Sequence, residues 1–595
     1  METGQPARAR ERSESTQRAR KRWIIADPAP SVFLAEQNNI PPTIASLLYA
    51  RGVRTKEEIA AFLDPKYDEH IHDPFLFRDM AKAVDRLFAA RDRGERVLIH
   101  GDYDADGIDG AAILAETLEA IGCDAVVFIP HRENDGFGFN PPGLAYAQEH
   151  GCVVIVTCDC GSANAETVAL ANDAGVDVII TDHHLIPTGE DGEPQIPPAL
   201  AMIHPKAPGE TYPFFELTGG GVAFKLCQAI ARRDAESAVP RLAQGFEKWL
   251  LDCVAISTVA DFGPLIGENR VLVHYGLIVL AKTRRLGLQA LYRTARIDPE
   301  RITPGTIGFQ IAPRINAAGR IDHASVALRL LLTRDQEEAT ALAEQLDSTN
   351  TERQRLVEEA MVEAIQQVGD VGERYSLVVV GDGWAPGIVG LVASRLKDRF
   401  QRPTIALTKF DGQVLGSGRS IVGLHIVEAL EASAEYLARF GGHPQACGLT
   451  VKDEQAVEGF CTQFEAFARS VLVPDDLLAT VAIAAELGGT DINWALVGNL
   501  ERLEPFGIGH PTPLFVVRGV TVTDVRMMGK EQQHCRIAAR HGSTSLSFVC
   551  FRYRMICPDV RVGACMDVAF ELGVNEWNGR RELQLKVVDA LAVDV

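Results

Sequence analysis

Short apolar runs that alternate with helix-forming stretches constrain this fold more than any other feature of the sequence. The runs are RVLIH (96–100), DAVVFIP (124–130), CVVIVTC (152–158) and VDVIIT (176–181). They are rich in β-branched residues and nearly continuous, as in strands of a parallel sheet that helices cover on both faces. The sequence therefore predicts an α/β fold, and ligands of such folds bind at the carboxyl ends of the strands.

Acidic and histidine side chains follow these runs. In HGDYDADGIDG (100–110) three aspartates stand at alternating positions, which share one face where the backbone is extended. CVVIVTCDCG and VDVIITDHH end in the same residue types, and a further aspartate follows the apolar run AISTVA. The residues concerned are Asp102, Asp104, Asp106, Asp159, Asp182, His183, His184 and Asp261.

Crowded carboxylates repel one another unless cations lie between them. A set of carboxylates and imidazoles suits Mn²⁺ or Mg²⁺, and one bridging carboxylate can hold two such ions about 3.5–4 Å apart. The sequence therefore predicts a site for two divalent metal ions where the strands end.

Two other interpretations of the acidic stretch stay open. The D-x-D-x-D-G pattern is also that of an EF-hand loop, but Ile113 occupies the position that needs a bidentate glutamate, and a strand-like run precedes the loop. Taken alone, the stretch also fits a solvated acidic turn or a helix cap.

Composition narrows the classes of function. The net charge of −21 over 595 residues argues against indiscriminate nucleic-acid binding, so a polyanionic substrate needs local arginines or metals. No apolar run approaches the ~20 residues of a membrane span, so we expect no membrane partner. Residues 1–22 are arginine-rich and lack the apolar region of a signal peptide, which predicts a disordered basic tail and a cytoplasmic location.

The twelve cysteines include no CxxC pair and predict reduced, mostly buried thiols. Cys158 and Cys160 flank an aspartate, but a zinc site would need a second ligand pair at finger-like spacing.

The rest of the chain contains three regions that differ in their pattern of apolar and charged residues. Residues 333–369 are a long, charged, helix-forming run that predicts a connector helix. Residues 370–472 predict a second α/β unit, with one of its helices around 424–439. Residues 473–595 contain short strands and turns that predict a small β-barrel.

Several motifs together resemble one known family. GDYDADG, CDCG, TDHH and VAD match the four motifs of the DHH phosphoesterase superfamily in order, and GGHPQACG is similar to the signature of its DHHA1 domain. PRINAAGRIDHA, GENRVLV, WAPGIVGLVASRL and VNEWNGRRELQL resemble the RecJ family of bacterial single-strand-specific exonucleases. The resemblance implies a parallel-sheet DHH domain over 23–332, a DHHA1 domain over 370–472, and an OB-fold-like nucleic-acid-binding domain over 473–595.

The resemblance also implies roles for individual residues. The metal ligands would be Asp104, Asp106, Asp159, His183 and Asp261, with Asp159 as the bridging carboxylate. Asp102 would be a direct or water-mediated partner of the metals. His184 would face the scissile phosphate, and Asp182 would orient the neighbouring imidazole.

Other residues are candidates for holding the nucleic acid. Arg314 and Arg320 are expected to contact phosphates, with a plain salt bridge as the alternative. The motifs GSGRS and GGHPQACG resemble a pocket that reads the 5′ end, which Arg132 would join. The candidates in that pocket are Ser417, Arg419, Gly441, Gly442 and His443. In the barrel region, the candidates for stacking on bases are Phe551, Tyr553 and Trp577.

The resemblance implies a metal-dependent exonuclease that hydrolyses single-stranded DNA from the 5′ end, acting in recombination and repair. A single-strand-binding protein and a helicase are the partners it suggests. Two alternatives remain: a DHH/DHHA1 phosphodiesterase acting on short oligoribonucleotides or cyclic dinucleotides, and a non-catalytic DNA-binding scaffold.

Overall fold

The computed structural model describes residues 21–37, 39–132, 135–189, 191–321, 323–577 and 579–593, and all side chains in them except that of Trp577. All but the last two residues of the predicted basic tail lie outside these ranges. None of the helices in the described ranges combines the length and the apolar character needed to cross a membrane.

The chain begins with one strand and a group of helices. They are β1 (Arg22–Ile25), α1 (Ser31–Glu36), α2 (Pro42–Ala50), α3 (Lys56–Leu63), α4 (Tyr67–His70) and α5 (Met80–Arg93). Thr55 begins α3 with a capping box, in which its side chain accepts from the amide of Glu58 while the Glu58 carboxylate accepts from the amide of Thr55.

A parallel sheet of five strands follows, in the order β3-β2-β4-β5-β6. Its strands and helices are β2 (Arg96–Gly101), α6 (Ala105–Ala120), β3 (Ala125–Phe128), α7 (Pro141–Glu149), β4 (Cys152–Cys158), α8 (Ala165–Asp173), β5 (Asp177–Thr181), β6 (Ala201–Ile203), α9 (Gly219–Ala235), α10 (Leu251–Ala260), α11 (Gly267–Ala281) and α12 (Leu286–Ala295). The central strands are buried over nearly their whole length, which confirms the predicted α/β class and excludes the EF-hand.

Helices lead from this sheet to the second half of the chain. They are α13 (Pro304–Thr306), α14 (Ala312–Ile321), α15 (Ser325–Leu332) and α16 (Gln336–Val368), with a π-helical turn at Ile307–Ile311. Helix α16 is 33 residues long and begins at the side-chain cap Asp335. It is the connector helix that the sequence predicts.

The second sheet has the order β10-β11-β9-β8-β7, with only β7 and β8 parallel. This region contains β7 (Leu377–Asp382), α17 (Pro386–Phe400), β8 (Thr404–Phe410), β9 (Gln413–Arg419), α18 (Ile426–Glu431), β10 (Leu437–His443), β11 (Ala446–Val451) and α19 (Ala456–Val471). The helix expected over 424–439 is therefore too long. It ends at Glu431, a 3-10 turn follows at Ala434–Tyr436, and the chain from Leu437 pairs with β11 as a strand.

The C-terminal region forms a closed five-stranded barrel, as the sequence predicts. Its elements are β12 (Thr480–Ile483), β13 (Ala485–Glu486), α20 (Trp494–Glu501), β14 (Leu514–Met528), β15 (His534–His541), β16 (Thr544–Cys550), α21 (Tyr553–Ile556), β17 (Cys565–Trp577) and β18 (Arg580–Ala592). The order β14-β15-β16-β18-β17 closes because β17 also pairs with β14. Closure leaves none of these five strands as an open edge.

Helices α1 to α3 pack against the barrel, whereas α4 and α5 pack into the core of the parallel sheet. Phe33 and Leu48 share one apolar core with Phe515 and Phe570 of the barrel strands. Strand β1 also pairs in parallel with β12. The first helices of the chain therefore stabilise its last domain.

Arg270 of α11 connects the N-terminal helices, the parallel-sheet region and the barrel region through hydrogen bonds. It is 2% exposed, and its guanidinium donates to the carbonyls of Phe62, Glu504 and Pro505 at 2.8–3.2 Å. One side chain thus joins the helices beside the parallel sheet to α3 and to the segment that enters the barrel.

We expect Arg270→Ala to lower the thermal unfolding midpoint by roughly 5 °C or more, because three carbonyls lose their donor. Scanning calorimetry measures the shift. Arg301→Ala, which removes a side chain that is 65% exposed, is the control and should change the midpoint by less than about 2 °C. Equal shifts for the two variants would contradict this account.

Candidate metal centre

Strand register brings three aspartates to one edge of the parallel sheet. Gly101 of β2 lies opposite Cys158 of β4, and Cys158 lies opposite Thr181 of β5. The next residue in each strand is an aspartate, namely Asp102, Asp159 and Asp182. Parallel strands end at the same edge, so pairing alone places these carboxylates side by side.

The turn after β2 arranges the next two aspartates. Asp104 is the N-cap of α6, and one of its carboxylate oxygens accepts from the amides of Asp106 and Gly107. Asp106 is held from the opposite side, where its two oxygens accept from the amides of Gly219 and Gly220, each at 2.7 Å. The helix-cap interpretation of Asp104 is therefore correct, but it describes only one of the residue's two oxygens.

Asp159 lies at the centre of the site. Its Oδ1 is buried without a hydrogen-bond partner, 3.1 Å from Nε2 of His183 and 3.7 Å from Nδ1 of His184. Its backbone has φ of 60°, in the left-handed region that few residues other than glycine adopt. A strained backbone conformation at this position aims the carboxylate into the cluster.

Three overlapping groups of ligand atoms lie here, each with its atoms within 4.8 Å of one another. Asp159 belongs to two of them, and so does His183. The groups are Asp102 with Asp104 and Asp159, Asp159 with His183 and His184, and Asp106 with His183 and Asp261.

Asp182 orients the histidine pair. One carboxylate oxygen accepts from Nδ1 of His184 at 2.9 Å and from the amides of His183 and His184, while the other accepts from the amide of Ser162. Although burial opposes ionisation, the hydrogen bond and charge of His184 lower the pKa of Asp182. The same contact outweighs the burial of His184 and raises its pKa to about 9.

Three of the other aspartates behave oppositely. Burial, followed by repulsion from Asp106, raises the pKa of Asp261 to about 8 and also raises that of Asp159. Burial and repulsion from Asp104 likewise raise the pKa of Asp102, whereas burial lowers the pKa of His183 to about 4. Crowded carboxyl groups next to a neutral imidazole therefore retain protons that a bound cation would displace.

The donor set fits a hard divalent cation. Oδ1 of Asp102, Oδ1 of Asp159 and Nε2 of His183 are buried polar atoms without a hydrogen-bond partner. Carboxylate oxygens with one imidazole nitrogen suit Mn²⁺ or Mg²⁺ better than a thiophilic metal. Because Asp159 belongs to two groups of ligand atoms, it is the residue that two cations could share.

The structure adds residues that the sequence did not reveal. Ser257 of α10 donates a short hydrogen bond to Asp106, and a Cβ at Gly219 would lie 2.5 Å from Cβ of Asp159. Asn316 of α14 accepts from the amide of Ala105 and so fastens the acidic turn. For the contacts around Asp106 and Asp159, the sequence signal is TGGG (218–221). Its three glycines stand at the start of a helix, where free backbone amides bind anions.

One face of the second sheet carries the predicted 5′-end residues, and α17 partly covers it at Ser417 and Arg419. Ser417 aligns with Gly448 and Gly441, and Arg419 aligns with Ala446 and His443. These residues share one face because they stand at paired and alternate positions. A Cβ at Gly441 would meet nothing within 4 Å.

Gly442 has a different reason to be glycine. A side chain there would lie 2.4 Å from the carbonyl of Ala446, and its φ of 151° disfavours other residues. Burial lowers the pKa of His443, and the charges of His184 and Lys206 lower it further. The face of the second sheet is therefore turned towards the metal centre.

Arginines gather between the two sheets. Burial lowers the pKa of Arg320 to about 10, and Arg132 and Arg353 lower it further. The pKa of Arg419 falls through burial and the charge of Arg132. We call Arg132, Arg320, Arg353 and Arg419 the arginine cluster. The charge of Asp104 also acts on Arg320, so the arginine cluster lies beside the metal centre.

Some predicted contacts lie elsewhere. Arg314 pairs with Asp347 of α16 at 2.8 Å, which is the salt-bridge alternative, so its role in binding phosphate stays a prediction. In the barrel, Phe551 is 42% exposed, whereas Tyr553 packs partly against the core. The side chain of Trp577 lies outside the described residues.

Family models match three parts of the chain. The models are the DHH family N-terminal domain at residues 96–258, the DHHA1 domain at 372–470 and the RecJ OB domain at 483–589. They coincide with the parallel sheet, the second sheet and the barrel.

Whole proteins are similar along nearly the full chain. The single-stranded-DNA-specific exonuclease RecJ of Bacillus subtilis (strain 168) is 37% identical over 577 residues, covering 96% of this chain and 71% of that protein. The protein of the same name from Escherichia coli (strain K12) is 32% identical, with 92% and 95% covered. RecJ from Thermus thermophilus in complex with Mn²⁺ superimposes with a TM-score of 0.80 at 31% identity, covering 96% of this chain and 80% of that one.

We expect Mn²⁺ to bind this protein more tightly as the pH rises from 6 to 8. The raised pKa values mean that the folded, metal-free protein holds protons that a cation must displace. Affinity should rise about tenfold per pH unit for each displaced proton. Titration calorimetry in buffers of different ionisation enthalpy measures both the affinity and the released protons.

The same protons make the metal-free protein less stable at higher pH. Between the ordinary aspartate pKa and about 8, the folded state binds more protons than the unfolded chain, so the free energy of unfolding falls as pH rises. Asp261→Asn should reduce the pH dependence of the Mn²⁺ affinity and the pH dependence of the free energy of unfolding. An affinity that is flat between pH 6 and 8 would refute the displaced-proton account.

Proposed function

This chain belongs to the RecJ family of single-stranded-DNA-specific exonucleases, and we propose that it removes nucleotides from the 5′ end of single-stranded DNA with two divalent cations. Metal-dependent hydrolysis of single strands is the activity of the family. The direction of hydrolysis and the number of cations are our proposal. The observation that carries it is the convergence of ligand atoms from four chain segments around Asp159.

Five side chains would hold the cations. Asp104, Asp106, Asp159, His183 and Asp261 would hold them, with Asp159 shared and Asp102 contacting them directly or through water. When bound, such cations supply Lewis-acid activation of water and neutralise charge on phosphate oxygens. The amides of Gly219 and Gly220 hold Asp106 rigidly, so little reorganisation of this ligand is needed.

His184 would act on the phosphate itself, and Asp182 would orient that histidine. The hydrogen bond from Nδ1 of His184 to Asp182 fixes the imidazole and raises its pKa to about 9 in the metal-free protein. We assign its Nε2 atom to donate a hydrogen bond to an oxygen of the scissile phosphate. The carbonyl of His184, hydrogen-bonded to Nε2 of His204 at 2.7 Å, fixes the backbone at this residue.

The face of the second sheet that carries Ser417 and Arg419 would read the 5′ end. Ser417 and Arg419 stand among Gly441, Gly448 and Ala446, so a phosphate can approach the backbone closely. His443 lies on this face, and Gly442 allows the chain to turn there. The arginine cluster would guide the strand from this face to the metal centre, since the chain as a whole carries a net charge of −21 that repels DNA.

The barrel favours an exonuclease over a phosphodiesterase that acts on dinucleotides. Such an enzyme needs no third domain, whereas this chain carries a closed barrel that matches the RecJ OB domain. We propose Phe551 and Tyr553 as stacking surfaces for bases, with Trp577 as a prediction from the sequence alone. A non-catalytic scaffold would have no need for the complete ligand set.

The cellular setting is also a proposal. Action in DNA recombination and repair fits the family, and a cytoplasmic location follows from the sequence pattern alone. A single-strand-binding protein and a helicase are proposed as partners on the family resemblance.

An oligonucleotide labelled at one end tests the direction. We expect 5′-labelled single strands to lose their label as a mononucleotide at once, and 3′-labelled strands to shorten gradually, on a denaturing gel with Mn²⁺ present. Asp159→Ala and chelation should each abolish release, while blunt duplex should be cut at least about tenfold more slowly. Early release of the 3′ label would overturn the direction but leave the metal site intact.

Arg419→Ala tests the assignment of the 5′ end. Loss of a charge-assisted hydrogen bond to phosphate should lower kcat/KM about ten- to a hundredfold on 5′-phosphorylated strands. The effect should be smaller on strands that end in a 5′ hydroxyl. Arg399→Ala, an exposed arginine on α17 in the same lobe, is the matched control and should cut both substrates normally. A uniform loss on both substrates would argue against this assignment.

A further inference from the structure

Three cysteines from separate parts of the sequence meet inside the barrel. Cys535 is the second residue of β15, Cys550 ends β16 directly opposite it, and Cys557 follows α21. Their sulfur atoms all lie within 4.8 Å of one another, and those of Cys550 and Cys557 are 3.2 Å apart. All three residues are at most 1% exposed.

We propose that Cys535, Cys550 and Cys557 form a three-thiolate site for one thiophilic cation, Zn²⁺ or Cu⁺, which is separate from the metal centre at the parallel sheet.

The spacing of the sulfur atoms suits such a cation. A zinc–thiolate bond is about 2.3 Å long, which places sulfurs around one ion roughly 3.8–4 Å apart. The Cys550 and Cys557 sulfurs are 3.2 Å apart and all three sulfurs lie within 4.8 Å of one another, so small movements complete the site. In a reducing compartment, a cluster of thiols is more often a metal site than a disulfide framework.

The surroundings also favour a thiolate. The Cys550 and Cys557 sulfur atoms lie within hydrogen-bonding distance of each other, and His534 directly precedes Cys535. A thiolate is the form that binds metal, and the remaining thiol protons would pass to solvent on binding. Three thiolates carry more negative charge than one Zn²⁺ or Cu⁺ neutralises. Arg552 and Arg554, in the segment between Cys550 and Cys557, add positive charge nearby in the sequence.

A cation here would fix one segment of the barrel. Residues 551–556 leave the sheet at Cys550 and return at Cys557, and they touch β15 and the loop before it through Tyr553 N to Gln533 O and Arg552 N to His534 Nδ1. Bonds to three sulfurs would hold α21 against β15 and β16. The sequence did not predict this site, because strand pairing brings the three cysteines together and no CxxC pair marks them.

The two sites select different metals by ligand chemistry. The centre at the parallel sheet offers carboxylates and imidazoles, which suit Mn²⁺ or Mg²⁺, whereas three thiolates suit Zn²⁺ or Cu⁺. Occupying the first site with excess Mn²⁺ therefore leaves the second available for a separate measurement.

Co²⁺ is the probe that reports thiolate ligands directly. We expect the reduced full-length protein, held anaerobically with excess Mn²⁺, to bind one equivalent of Co²⁺ with thiolate-to-metal charge-transfer absorption. Stoichiometric Zn²⁺ or Cu⁺ should remove the absorption, and the ion that does so at the lower concentration identifies the preferred metal. Cys550→Ser should lose the absorption, whereas Cys565→Ser, a barrel cysteine outside the cluster, should keep it.

Alkylation of the unaltered protein gives a second measurement in case Cys550→Ser does not fold. Zn²⁺ should slow the modification of Cys535, Cys550 and Cys557 at least about tenfold, as mapped by mass spectrometry, and leave Cys461 and Cys565 unchanged. No charge-transfer absorption in the folded protein, or equal alkylation with and without Zn²⁺, would overturn the proposal. Isolation of the protein from cells with a Cys550–Cys557 disulfide, before any reductant is added, would also overturn it.

Discussion

Repulsion among carboxylates at one sheet edge is the constraint around which this molecule is arranged. Parallel pairing forces Asp102, Asp159 and Asp182 together, and the turn after β2 adds two more aspartates. Part of the repulsion is met within the chain, because the amides at the start of α9 bind Asp106 and the imidazole of His184 binds Asp182. The remaining aspartates keep raised pKa values, which is the electrostatic condition for binding divalent cations.

The sequence predicted what local pattern and pairing rules determine. Apolar runs followed by aspartates were enough to place Asp102, Asp159 and Asp182 at one edge, since parallel register carries the positions across the sheet. The support of Asp106 was not predictable in this way, because Gly219 and Ser257 approach it from helices more than a hundred residues away. Such contacts depend on how helices pack against the sheet.

Local pattern also failed where pairing overrode propensity. The stretch around 424–439 contains good helix formers, yet β10 begins at Leu437 because its backbone pairs with β11. The pairing is useful at this place, since it sets Gly441 and His443 in line with Ser417 and Arg419. Likewise, nothing in the amphipathic pattern of α1 to α3 indicates that they pack against the barrel, because any apolar surface of suitable shape accepts them.

The barrel is joined to the metal centre by backbone contacts, so the two cannot be positioned independently. Directly after Asp261, the amide of Leu265 donates to the carbonyl of Ile508 at 2.7 Å. A Cβ at Gly507 would lie 2.7 Å from the Leu265 side chain, and one at Gly509 would lie 2.8 Å from Pro264. Close packing of this kind transmits displacement. The position of the barrel relative to the segment that follows Asp261 is therefore set by the fold, through packing at Pro264 and Leu265.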